Sequence, residues 1–285
     1  MEDKLKIIFF GEDSFSNVVL SSLIKANYRI LAVITPYYEN LIHKRLEITC
    51  KTNNISFKRF HKINSEEVYN LMSKMKPDLC VITHFEKLIS AKLLSIPRLG
   101  FINLHPSLLP FYRGMAPQHW PIINGEKETG LSVHYVDEGV DTGDIIIQER
   151  IPITSDMYVS DLQNIWLKRY PCIMLHAIER ILRGEQTIRQ RELKGCYFGK
   201  LKKEDCCVSI NMSVHEAYNL VRGVSLPYCG ANFEDIIIYR AHVNEDEELT
   251  NRFKEKNNGL YEDFCIGKLL RFNDGILIID KYKTV

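Results

Sequence analysis

The chain has 285 residues, enough for one large domain or two modest ones, each with a core of its own. Hydrophobic residues at 45% and charged residues at 26% exclude a disordered chain, and 37 basic against 36 acidic residues exclude a whole-molecule field drawing it to nucleic acid or anionic lipid. The opening MEDKLKIIFFG has neither the charge nor the apolar length of a secretory signal, and no run approaches the roughly 18 to 20 apolar residues of a membrane span, so a cytoplasmic protein is expected.

Eight cysteines (Cys50, Cys80, Cys172, Cys196, Cys206, Cys207, Cys229 and Cys265) show no C-x-x-C spacing. In a chain long enough to fold without staples they are expected as reduced, mostly structural thiols.

In chain order, the apolar run Leu5 to Phe10 predicts a strand ending at Gly11, and Val18, Val19, Leu23 and Ile24 predict a helix over Ser16 to Ala26. The unit recurs: a strand over Ile30 to Thr35, a helix over Ser65 to Met75, a strand over Leu79 to Thr83. Such alternation implies parallel strands joined by right-handed crossovers, so the expected fold is α/β, a Rossmann-like open, mostly parallel sheet.

Another strand is predicted over Gly100 to His105, followed by the turn-rich PSLLPFYRG and a short helix near Pro117 to Ile123. Strands over Gly130 to Val136 and Asp144 to Ile153 and a long helix over Val159 to Arg183 complete the first domain. The polar, basic stretch Gly184 to Lys203 reads as a connecting segment, dividing a domain over 1–195 from a smaller one over 196–285. In the latter a helix over Ser213 to Val221 and strands over Ile236 to Tyr239, Phe264 to Leu270 and Gly275 to Ile279 predict a mostly β module, such as a partly open barrel.

Several chemistries fail on residue type. Gly11-Glu12-Asp13-Ser14 has one glycine where a dinucleotide fingerprint needs three. A calcium loop begun at Asp137 puts Thr142 where the turn glycine belongs and Gln148 where the bidentate glutamate belongs, leaving magnesium on two of these carboxylates as the remaining metal alternative. No G-x-S-x-G elbow, Walker loop or H-E-x-x-H occurs, so covalent catalysis has no support.

The segment FINLHPSLLPFYRG places Asn103 and His105 two residues apart at a strand end, so both side chains leave one face. In an open α/β sheet ligands collect at the carboxyl ends of strands, which is where this pair falls. Taken alone, Asn-x-His reads as readily as a core histidine near a turn. The loop Asp137-Glu138-Gly139-Val140-Asp141-Thr142-Gly143-Asp144 supplies a carboxylate able to orient and charge-stabilise the imidazole, although it also suits a solvated turn.

Together these segments resemble the formyltransferase family that uses 10-formyltetrahydrofolate, whose signature is an Asn-x-His in an S-L-L-P loop and, thirty-six residues later, the Asp of a D-x-G-x-D-T-G-D loop; His105 to Asp141 is that interval. The likeness continues through Arg113-Gly114, Ala116-Pro117, Asn124-Gly125-Glu126 and Glu128-Thr129-Gly130. It implies that the Asn103 amide donates to the formyl oxygen, that His105 handles the proton of the attacking amine, and that Asp141 holds His105 and favours its protonated form. It also implies that the folate pteridine lies between Glu86, Lys87, Leu88, Ile89 and the loop Asp137, Glu138, Gly139, Val140 and Asp141. Ser107 and Arg113 are implied on the acceptor side.

Members of this family formylate methionyl-tRNA, glycinamide ribonucleotide or a nucleotide-linked amino sugar. The second domain argues against the glycinamide ribonucleotide enzymes. Thr35 to Lys51 lacks the glycine- and lysine-rich insertion of the tRNA enzymes, and Lys200, Lys202 and Lys203 are the best candidates for phosphate contacts. Cys196-Tyr197-Phe198-Gly199, Tyr218-Asn219-Leu220-Val221-Arg222 and Pro227-Tyr228-Cys229-Gly230-Ala231 resemble runs of the sugar-nucleotide formyltransferases, with departures at Cys229 and at Asp205 to Asn211. The expected acceptor is therefore a nucleotide-linked amino sugar in polysaccharide biosynthesis, with Tyr197 stacking on the base and Asn219 or Arg222 near the diphosphate. The alternatives are a methionyl-tRNA formyltransferase and an inactive folate or nucleotide-sugar binding module. A homodimer is left open.

Overall fold

A computed structural model describes residues 4–40, 42–190 and 194–285. Residues 191–193 of the connecting segment lie outside the described residues.

Strand β1 (Lys6–Gly11) runs into α1 (Ser14–Lys25), which Asp13 caps by accepting from the Ser16 amide at 3.0 Å. There follow β2 (Arg29–Pro36), α2 (Lys44–Thr52), β3 (Ser56–Phe60), α3 (Glu66–Met75), β4 (Leu79–Thr83) and the single turn α4 (Ala91–Leu94). Then come β5 (Phe101–His105), β6 (Arg113–Gly114), α5 (Trp120–Ile123), β7 (Glu128–Tyr135), β8 (Ile145–Pro152) and α6 (Val159–Leu182).

β1 to β5, β7 and β8 form a seven-stranded sheet in the order β3-β2-β1-β4-β5-β7-β8. Pairings from β3 to β5 are parallel, whereas β7 runs antiparallel to β5, so the open, mostly parallel sheet is mixed at this edge. One face packs on Ile8, Phe10, Ile34, Val68, Met72, Cys80, Ile82, Leu93 and Phe101, all but Ile82 at most 1% exposed. α2 and β3 were not predicted, because Lys44–Thr52 is mostly polar and only Leu46 and Cys50 are buried in it, while Ser56–Phe60 alternates poorly.

The C-terminal part contains β9 (Tyr197–Phe198), α7 (Val214–Val224), β10 (Ala231–Phe233), β11 (Ile236–Val243), α8 (Glu247–Arg252), β12 (Gly259–Asp263), β13 (Gly267–Phe272) and β14 (Gly275–Thr284). Its five-stranded sheet runs β10-β11-β14-β13-β12, with every pairing antiparallel. The strand predicted over Phe264 to Leu270 is corrected: Phe264 stands fully exposed at the turn between β12 and β13, where the Asp263 carboxylate accepts from the amides of Cys265 and Ile266.

The chain folds into two compact units, one of Met1–Arg113, Gly130–Arg150 and Ile165–Tyr197, the other of Gly114–Thr129, Ile151–Asn164 and Phe198–Val285. The division does not follow a single cut near residue 195. α5 packs on α7, and Tyr158 belongs to the core of the second unit, its hydroxyl donating to the Ala241 carbonyl at 2.9 Å. Among the described residues no helix is long and apolar enough to cross a membrane, and no group of three or more His, Cys, Asp or Glu is placed to hold a metal ion.

Candidate active site

Asn103 and His105 leave one face of β5 while Ile102 and Leu104 are buried on the other. Antiparallel pairing sets Asn103 opposite His134 and His105 opposite Ser132, so β7 adds an imidazole and a hydroxyl to the same face. The loop after β7 then returns Asp141 to this group.

The Asp141 carboxylate is the hub. Its Oδ1 accepts from Asn103 Nδ2 at 3.3 Å and lies 3.4 Å from His134 Nε2, and its Oδ2 lies 3.5 Å from His105 Nδ1. Asn103 Nδ2 also lies 3.3 Å from His134 Nε2. Each ring is held from its far side, His105 Nε2 against the Tyr112 carbonyl at 2.8 Å and His134 Nδ1 against the Tyr135 carbonyl at 2.7 Å. A carbonyl only accepts, so the nitrogens facing Tyr112 and Tyr135 carry hydrogens. In the neutral rings the lone pairs of His105 Nδ1 and His134 Nε2 therefore turn toward Asp141 and Asn103.

His105 is 5% exposed and His134 only 1%. Burial holds the His105 imidazole below its ordinary range. Asp141 and the bond to the Tyr112 carbonyl raise it without offsetting that burial, and His134 and His84 lower it further. The expectation that Asp141 favours the protonated ring describes one contribution, and burial outweighs it.

The acidic loop is shaped from within. Asp137 Oδ1 accepts from the Gly139 amide at 3.0 Å and from Thr142 Oγ1 at 2.6 Å. Gly143 presses on β7 so closely that a Cβ there would fall 1.9 Å from the Tyr135 carbonyl oxygen. Asp141 itself adopts a left-handed backbone, φ +52°.

The other expected contacts are placed unevenly. In the segment Glu86 to Ile89, the Glu86 amide donates to Glu12 Oε1 at 2.8 Å and the Leu88 carbonyl accepts from Asn64 at 2.9 Å, so these two groups are already engaged. Lys87 reaches over the Tyr38 ring, Leu88 is exposed and Ile89 is buried. Glu12 is itself buried, and burial raises its carboxyl above the ordinary range. Glu138 and Gly139 are exposed on the acidic loop, with Val140 half-buried.

Ser107 is fully buried and spends its hydroxyl on the Phe111 carbonyl at 2.7 Å, which makes it a brace of the loop after β5. Ser132 and Gln148 brace the same loop through Ser107 O and Leu109. Arg113 is half-buried and Tyr197 is 60% exposed.

Within the second unit Arg222 is 4% exposed and donates to the carbonyls of Thr154 and Met157 at 3.2 and 2.8 Å and to Asn219 Oδ1 at 2.5 Å. Its guanidinium ties the chain before α6 to α7, and it holds Asn219, which limits what either offers a diphosphate. His134 escaped the sequence reading, although the alternation of buried Leu131 and Val133 with polar Ser132 and His134 carried the signal.

An amide, two imidazoles and a carboxylate gathered at the carboxyl end of an open α/β sheet form a site that can donate hydrogen bonds to a polar group and move a proton beside it. The family model described as formyl transferase matches residues 5–178, and the chain belongs to this family. Among curated relatives, a methionyl-tRNA formyltransferase of Clostridium acetobutylicum is 33% identical over 283 residues, covering 93% of this chain and 90% of the relative. Among solved structures, WlaRD, a sugar 3N-formyl transferase in the presence of dTDP and 5-N-formyl-THF, superposes with a TM-score of 0.72 at 22% identity, covering 97% of each chain. An N-formyltransferase from Helicobacter canadensis, in complex with folinic acid and dTDP-3-aminofucose, superposes at 0.71 with 21% identity over 98% of this chain and all of the other. Both likenesses are to the fold.

Proposed function

We propose that the protein transfers the formyl group of 10-formyltetrahydrofolate to the primary amine of a nucleotide-linked amino sugar. The observation that carries the chemistry is the convergence of Asn103, His105 and Asp141 within 3.5 Å. The attacking amine forms its bond to the formyl carbon, and the oxygen that becomes anionic takes a hydrogen bond from Asn103 Nδ2. The two bonds that Asn103 makes at rest are long, at 3.3 Å, and an oxyanion competes well for its hydrogens.

The proton leaving the amine goes to His105. Nε2 is engaged with Tyr112, so Nδ1 is the accepting atom, and the imidazolium formed there faces the Asp141 carboxylate. A ring kept neutral by burial is ready for this step at neutral pH. When the carbon–N10 bond of the folate breaks, the same proton passes to N10.

On this reading the pteridine lies along Glu86 to Ile89 and the loop 137–141. Catalysis is assigned to the unit that carries β5 and the loop 137–141, within the expected domain 1–195, and acceptor recognition to the mostly β part within 196–285. The amino-sugar acceptor is supported by Y-F-G, Y-N-L-V-R and P-Y-C-G-A and by the short, glycine-free stretch after β2. A second reading, methionyl-tRNA as acceptor, is favoured by the 33% identity to the Clostridium acetobutylicum enzyme.

A formyl-transfer assay with dTDP- and UDP-linked amino sugars, glycinamide ribonucleotide and charged methionyl-tRNA separates them. Turnover with an amino sugar is expected. Turnover with charged tRNA alone would replace this acceptor, and no product with any acceptor would favour an inactive binding module.

A further inference from the structure

We propose that Gln190 is a positioning residue for the Asp141 carboxylate, fixing through its side-chain amide the loop conformation that presents the carboxylate to His105 and Asn103. The inference rests on the formyl-transfer reading only in so far as Asp141 serves catalysis.

Gln190 lies in the polar stretch after α6 that sequence alone suggests is a plain connector. It is nevertheless 1% exposed. Its Nε2 donates to the backbone carbonyl of Asp141 at 3.1 Å and to that of Gly143 at 2.5 Å, straddling the loop on both sides of Thr142. Both partners are carbonyl oxygens, so the group facing them must be the NH2 end, the side-chain group here that offers two hydrogens in one plane. The price is a buried Gln190 Oε1 with no hydrogen-bond partner among the described residues.

Backbone bonds hold the Gln190 segment. Ile145 and Ile188 exchange amide-to-carbonyl hydrogen bonds, both at 2.8 Å, so Gln190 stands on a two-residue bridge to the start of β8. The loop it grips needs gripping. Asp141 sits at φ +52°, where a residue with a side chain persists only if its surroundings dictate the conformation. The internal Asp137–Gly139 and Asp137–Thr142 bonds close the loop across Asp141 through a side chain, and Gln190 adds a grip on the backbone carbonyls of Asp141 and Gly143.

Among the described residues the charged and titratable groups that act on His105 are Asp141, His134 and His84, of which Asp141 raises its pKa and the two histidines lower it. Displacing the Asp141 carboxylate from a ring that stays buried therefore moves the His105 titration downward. A residue that only stabilised the fold would leave that titration where it is once the protein is folded.

The test uses Gln190→Met, which keeps the volume, and Gln190→Glu, which sets a carboxylate against the two carbonyls. Each is combined with Asp141→Asn. Histidine titrations by NMR and steady-state kinetics are recorded on folded protein. Expected are a downward shift of the His105 midpoint, a fall in kcat of about tenfold to a hundredfold with little change in acceptor KM, and double variants no worse than Asp141→Asn alone.

An unmoved His105 midpoint, or losses that multiply in the doubles, would overturn the proposal. Failure of both single variants to fold would also overturn it, in favour of a purely structural role. Absence of formyl transfer by the wild type counts against the proposed reaction, while the NMR arm still decides the clamp.

Discussion

His105 and Asp141 meet at 3.5 Å, Nδ1 to Oδ2, while the opposite edge of the imidazole is fastened to the Tyr112 carbonyl at 2.8 Å. The ring therefore has one nitrogen fixed by the backbone and one turned to the carboxylate, the atom to which the proposed mechanism gives the proton. His105→Ala is expected to abolish measurable turnover while folate binding by calorimetry is retained. Near-normal turnover would contradict the assignment of the proton to this ring.

The pH dependence follows from burial. On the proposed mechanism a neutral His105 is the active form, and its pKa lies below the ordinary imidazole value of about 6.5, so kcat/KM should be flat through neutrality and fall only on the acid side of that value. Asp141→Asn removes the charged neighbour that raises it, so the acid limb should move lower still as kcat drops. A limb that moved upward in this variant would refute the electrostatic account.

The same burial links to stability. The unfolded chain binds a proton at His105 more readily than the fold, so folding loses stability as pH falls through the ordinary value toward the depressed one. His105→Asn should flatten that part of a denaturation-versus-pH curve, and an unchanged slope would mean that another group sets it.

Asn103→Ala removes the one side-chain donor assigned to the oxyanion. Loss of such a donor costs about 2.7–4 kcal/mol of barrier, or roughly 10²–10³ in kcat. Acceptor KM and melting temperature should change little. A loss below about fivefold would point to a backbone amide as the principal donor.

Arg222→Met should act through stability. It leaves the carbonyls of Thr154 and Met157 without their donor, at a cost of about 1–3 kcal/mol. A lowered melting temperature with an unchanged acceptor KM is expected; a raised KM with intact stability would return Arg222 to the substrate.

Much of this was legible from residue order. β4 over Leu79–Thr83 and α6 from Val159 were predictable because apolar periodicity there is strong, and the helices expected from Ser65 and Ser213 are α3 and α7, which these serines cap in the structure. The trio Asn103, His105 and Asp141 was legible because motif spacing survives in one dimension. His134 and Gln190 were not, since one depends on the direction in which β7 pairs with β5 and the other on where an aperiodic stretch comes to rest. Arg222 and Ser107 were expected near the acceptor from the resemblance, and their burial and backbone hydrogen bonds, which residue order does not reveal, give each a bracing role as well.

The antiparallel ladder between β5 and β7 fixes Asn103 opposite His134 by main-chain register, whatever the length or content of the twenty-two residues that connect the two strands, 106–127. Beyond Tyr112, whose carbonyl holds the His105 ring, that excursion can be rewritten by evolution or by an engineer while the ladder keeps Asn103 facing His134. Strand register thus secures this pair of side chains independently of most of the chain that runs between the two strands.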